Sequence, residues 1–143
     1  MQMSEEQRQA RLQQIKAQWD QKRAINESLG RIKTKIGVYS GKGGVGKTTV
    51  AVNLATYLAQ QGYSIGLLDT DIDCPNATKV MGVTDRPIVA NGRMAPVEQF
   101  GVKIMSMAFF QENEEEAIIF RGPMIHNAIN QFLQMTDWDE LDF

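Results

Sequence analysis

The pattern of apolar and polar positions changes period several times along this chain, and each change marks an element. Near the start, Leu12, Ile15, Trp19 and Leu29 form a narrow apolar stripe at helical spacing in an otherwise polar, charged segment. Ser4 and Gln7 ahead of it have the spacing of a capping box, so a helix is expected here, packed on the rest of the chain or on a partner through that stripe. The run Lys35-Ile36-Gly37-Val38-Tyr39-Ser40 has strand character, and Val50, Leu54, Tyr57 and Leu58 then recur at helical spacing until Gly62 stops the helix. Ser64-Ile65-Gly66-Leu67-Leu68 is almost wholly apolar, the composition of a parallel strand covered on both faces. Strand, glycine-rich loop, helix and buried strand in that order make a βαβ unit, hence an α/β fold with a mostly parallel sheet flanked by helices.

The following stretch, Gly82 to Gly101, is loop-rich. Asn91-Gly92 between Ile88-Val89-Ala90 and Arg93-Met94-Ala95 signals a two-residue hairpin that leaves the main sheet. Val102 to Met107 reads as another core strand, and the acidic stretch Glu112 to Glu116 as a solvated loop. Gly122 and Pro123 open a further helix in which Ile125, Ile129, Phe132 and Leu133 share one face.

Composition narrows the setting. With 143 residues, 43% hydrophobic, and a formal net charge of -2, the chain fits an ordinary soluble domain and excludes disorder throughout. No apolar run approaches the roughly eighteen residues of a spanning helix, and the polar start lacks the apolar centre of a secretory signal, so a cytoplasmic location is expected. A single cysteine, Cys74, excludes an internal disulfide framework and cannot alone complete a metal or cluster site. Charge is uneven: residues 1–35 carry eight of the fifteen Lys and Arg against four acids, whereas residues 66–143 carry thirteen of the seventeen acids. A basic amphipathic helix can also touch nucleic acid or an anionic membrane surface, but Glu5, Glu6, Asp20 and Glu27 dilute this one, which favours a solvated packing helix.

The chemistry sits between Gly41 and Thr49, which read Gly-Lys-Gly-Gly-Val-Gly-Lys-Thr-Thr. A phosphate chain is held by main-chain N–H groups converging on its oxygens, which needs close backbone approach and conformations that a Cβ obstructs; Gly41, Gly43, Gly44 and Gly46 permit both. With Val45 completing the loop, Lys47 begins a helix whose positive end faces the anion, and its ammonium reaches the β- and γ-phosphates. Thr48 offers a hydroxyl to Mg²⁺, and Thr49 closes the motif. A nucleoside triphosphate is therefore the expected ligand. In such sheets ligands sit at the carboxyl ends of the strands, which places Asp69, Asp71 and Asp73 beside the loop.

The additional lysine, Lys42, gives the loop a resemblance to the deviant Walker A motif of MinD/ParA-type ATPases. That resemblance implies a nucleotide-sandwich homodimer in which Lys42 reaches the partner's phosphates and stabilises charge on the transferring group. Three more segments resemble the Mrp/ApbC branch, the iron–sulfur cluster carrier ATPases: Leu67 to Asn76 is similar to its switch I, Gly101 to Phe110 to its Gly-Val-Lys-x-Met-Ser-Met segment, and Phe120 to Met124 to its Trp-Arg-Gly-Pro-Met. The resemblance runs from about Lys33 to Phe143, leaving residues 1–32 as an amino-terminal extension and 33–143 as the amino-terminal part of a P-loop ATPase domain. Carried over, it implies ATP and Mg²⁺ as cofactors, Asp69 on a water of the Mg²⁺ shell, Asp71 organising the attacking water, and Lys42, Lys47 and Asp71 as the catalytic set. Apo iron–sulfur proteins would be the recipients.

Two departures qualify the resemblance. Cys74 and Asn76 stand where the branch usually has Gly and Ser, and the segment Asp137 to Phe143 would lead into a switch II strand, later strands and a Cys-x-x-Cys pair that lie beyond this sequence. The expected fold is thus incomplete, and ATP hydrolysis is expected of the intact family member. Two competing readings are a MinD/ParA-type organiser that binds membrane or DNA, and a nucleotide-binding fragment without catalysis.

Overall fold

The computed structural model describes residues 4–72, 74–111 and 125–143. Its elements are helix α1 (Glu5–Gly30), helix α2 (Lys47–Gln60), strand β1 (Ile65–Asp69), helix α3 (Ala77–Val80), strands β2 (Ile88–Ala90), β3 (Arg93–Ala95), β4 (Val97–Gln99) and β5 (Val102–Ser106), and helices α4 (Ala108–Gln111) and α5 (Ile125–Met135). The main sheet runs β1-β5-β4. β1 and β5 are parallel, with Ile65 beside Val102 and Asp69 beside Ser106, while β4 is antiparallel to β5. The expected parallel pairing of the two apolar strands is thus present, with the short strand β4 added antiparallel to β5.

Side-chain alternation along β5 divides the core. Val102 and Ile104 face Val52, Ala55, Ala77 and Met81 on the α2 and α3 side. Met105 faces Ile32, Met94, Phe132, Trp138 and Leu141 on the other. Helices therefore cover both faces of one sheet. Gly66 has a steric role here: a Cβ would lie 2.6 Å from Leu141 Cδ1 and 2.9 Å from Trp138 Cε3, so its bare backbone lets both side chains lie across β1.

Several expectations change. Lys35 to Ser40 is not a strand; it has no regular structure and is exposed, with Ile36 53% and Tyr39 90% accessible. Leu141 to Phe143 lie parallel between residues 31–34 and 64–66, where Lys33 N–H donates to the Leu141 carbonyl and Gly66 N–H to that of Phe143, both at 3.0 Å, and among the described residues this ladder stops there. On α2 the buried residues are Val52 and Ala55, with Leu58 packed beside them, whereas Val50, Leu54 and Tyr57 of the expected stripe face outward. The first helix has its capping box, with Gln7 N–H donating to Ser4 Oγ at 3.2 Å. Its stripe packs only at Leu29, however, and Leu12, Ile15 and Trp19 are exposed.

Other expectations hold. Asn91 and Gly92, with φ of 52° and 72°, make the hairpin turn between β2 and β3. In α5, Phe132 is buried and Ile129 and Leu133 half-buried. The acidic run at 112–116 and the helix opening at Gly122 and Pro123 lie outside the described residues.

Candidate functional site

The loop from Gly41 to Gly46 joins the exposed segment Lys35 to Ser40 to α2. Only Gly44 and Gly46 need a left-handed backbone, with φ of 72° and 94°; at Gly41 and Gly43 the backbone is ordinary and a Cβ would meet nothing. Gly46 is the N-cap of α2 and brings no capping side chain, so the first-turn amides point out of the helix end without a side-chain acceptor. Within the loop, Ser40 Oγ accepts from Lys42 N–H at 3.1 Å and donates to the Lys42 carbonyl at 3.3 Å. The Lys47 ammonium folds back over the loop and donates to the same carbonyl at 3.2 Å.

The carboxyl end of β1 lies across from this helix end. A cleft of about 620 Å³ brings Ser40, Lys47 and Thr48 onto one lining with Asp69, Thr70 and Asp71. Lys42, Val45, Thr49 and the loop glycines do not line it. Asp69 is half-buried and holds the surrounding backbone: Oδ1 accepts from Asp71 N–H and Oδ2 from Ala77 N–H at the start of α3, both at 3.1 Å, and buried Ser106 Oγ donates to Oδ2 at 3.4 Å. Each carboxylate oxygen has two acceptor positions, which leaves capacity for a water molecule. Asp71 is exposed, and its Oδ1 accepts from Cys74 N–H at 3.1 Å. Cys74 is exposed, with Asn76 donating to its sulfur at 3.1 Å.

Ser40 and Ser106 belong to this site although sequence reading passed over them. The signal was their position: Ser106 ends a strand parallel to β1, and the carboxyl ends of such strands converge. The oxygen donors also suit a hard cation. A Thr hydroxyl and a carboxylate beside an uncapped helix end fit Mg²⁺, which takes one or two protein oxygens together with phosphate oxygens and water. Among the described residues no group of three or more His, Cys, Asp or Glu side chains could hold a metal by itself.

Known proteins are similar to this chain in sequence and fold. A family model for the NUBPL iron-transfer P-loop NTPase, of the ParA type, matches residues 31–143. An iron–sulfur cluster carrier protein of Bacillus subtilis is 47% identical over 108 residues, covering 76% of this chain and 30% of the relative. Another from Methanococcus maripaludis is 46% identical, covering 83% of this chain and 42% of the relative. Among solved structures, a nucleotide-binding protein in complex with ADP from Archaeoglobus fulgidus superposes with a TM-score of 0.70 at 35% identity, covering 84% of this chain and 46% of that one. The chain thus spans less than half the length of these proteins, and its fold is the incomplete P-loop NTPase that the sequence led us to expect.

Proposed function

The chain belongs to the NUBPL iron-transfer P-loop NTPase family, and from that membership we propose that it forms the nucleotide-binding part of an ATP-dependent iron–sulfur cluster carrier. The observation that carries this reading is the shared cleft, in which Lys47 and Thr48 at an uncapped helix end lie on one lining with Asp69 and Asp71. In the proposed site the triphosphate lies along Gly41 to Thr49. Lys47 leaves the Lys42 carbonyl for the β- and γ-phosphates, the first-turn amides of α2 take phosphate oxygens, and Asp71 orients the attacking water. Thr48 and a water on Asp69 would hold Mg²⁺, which supplies charge neutralisation at the phosphates. Lys42 is exposed and does not line the cleft, a placement that suits a lysine serving a second subunit's nucleotide in a homodimer.

The cluster is cargo in this proposal. Cys74 is this chain's one cysteine, too few for a cluster, so delivery to apo iron–sulfur proteins is a property of the longer protein. We place that protein in the cytoplasm, where an exposed thiol such as Cys74 stays reduced.

Calorimetry tests the binding step. The folded chain should give saturable heat with Mg·ATP. Lys47→Ala, which removes a charge-assisted hydrogen bond, should weaken binding by about ten- to a hundredfold. Absence of heat from the unaltered, folded chain overturns the reading. For the carrier role, ATP should change the rate at which the longer protein, loaded anaerobically with cluster, passes it to an apo-protein. Lys42→Ala should abolish that dependence.

A further inference from the structure

Alternation along β5 puts Val102, Ile104 and Ser106 on one face of the sheet, and along β1 it does the same for Ile65, Leu67 and Asp69. The apolar members of both sets pack with Val52 and Ala55 of α2. The last member of each is polar and stands at the carboxyl end of its strand. Parallel register sets Asp69 beside Ser106, and Met107 N–H, donating to the Asp69 carbonyl at 3.1 Å, carries the ladder one step past the pair. Ser106 is wholly buried, and a buried hydroxyl has to be bonded. Ala108 N–H donates to its Oγ at 3.2 Å, and Asp69 Oδ2 lies 3.4 Å away. A backbone amide only donates and an ionised carboxylate only accepts, so the single hydroxyl proton goes to Asp69.

That proton decides which carboxylate oxygen stays open. Oδ2 accepts from Ser106 Oγ and from Ala77 N–H, which fills both of its acceptor positions, whereas Oδ1 accepts from Asp71 N–H alone. Among the described residues, one acceptor position of the carboxylate is left, and it is on Oδ1. We propose that Ser106 is a positioning residue: by filling the second place on Oδ2 it fixes the orientation of the Asp69 carboxylate and reserves Oδ1 for the Mg²⁺-bound water. The inference rests on the nucleotide reading above, which gives Asp69 that water. Without the hydroxyl, Oδ2 also has a vacancy, and two amides alone hold the carboxylate.

Ser106→Ala, which removes the donor and little volume, tests this on the full 143-residue chain. In calorimetry, the factor by which Mg²⁺ tightens ATP binding over that in EDTA should fall by about three- to tenfold, while affinity in EDTA stays within about twofold. A serine that only packs would weaken both alike. A second measurement needs neither nucleotide nor metal. By NMR hydrogen exchange, the Asp71 and Ala77 amides, both held by this carboxylate, should exchange several-fold faster in the variant, and those of Val102 to Ile104 should not change. Equal weakening with and without Mg²⁺, or faster exchange throughout β5, makes Ser106 a packing residue and overturns the proposal. So does a variant that matches the unaltered chain in both measurements. No heat from the unaltered chain with Mg·ATP brings down the nucleotide reading itself, whereas a Mg²⁺ effect that survives Ser106→Ala intact overturns this inference alone.

Discussion

Glycine at position 66 and glycine at position 43 have opposite surroundings, and substitutions separate them. At Gly66 a methyl group would strike Leu141 and Trp138 inside the core, so Gly66→Ala should lower stability by about 1–3 kcal/mol in urea denaturation. At Gly43 the space is open and the backbone ordinary, so Gly43→Ala should leave the denaturation midpoint nearly unchanged, within about 0.5 kcal/mol. If the phosphate chain lies against that residue, the same variant should bind Mg·ATP less well in calorimetry. A loss of stability at position 43 equal to that at position 66 would show that the loop is built for its own packing and not for a ligand.

Individual elements differ in how far they were legible beforehand. The glycine loop, β1, β5 and the Asn91-Gly92 hairpin were readable because each carries a local signal: motif, apolar run or turn chemistry. β4 was not, since Val97–Gln99 is too short for periodicity and its turn puts Phe100 at φ 53°, a conformation no composition rule anticipates. The stripe on α2 was misjudged because Val50, Leu54 and Tyr57 and the true core residues Val52 and Ala55 are both helically spaced; only tertiary packing decides between them. In α5 the large buried side chain is Phe132, and Phe132→Ala should cost about 3–5 kcal/mol. At the other extreme, residues 5–20 of α1 are exposed throughout. Their amides should exchange much faster than those of β5, measured by mass spectrometry at neutral pH.

The whole molecule is closed by contacts between its first hundred residues and its last few. Lys33 pairs with Asp142 at 2.7 Å, and Ser64 N–H donates to the other oxygen of that carboxylate at 2.9 Å. The hydrogen bond from Lys33, then that from Ser64, hold the Asp142 carboxyl below the usual carboxylate range. A depressed folded value means stability present above the unfolded carboxylate pKa and lost as pH falls through the folded one. Acid titration of unfolding should therefore show this closure failing below about pH 4, and Asp142→Asn should flatten that part of the profile. Arg93 acts likewise on Asp137, tying the hairpin to the segment after α5. Asp69 has a different consequence at this scale. One carboxylate tethers the tip of β1, the chain turning away from it, the start of α3 and, through Ser106, the end of β5. It is a mechanical junction: because all these bonds meet at one side chain, a displacement of Asp69 would disturb four places in the fold together.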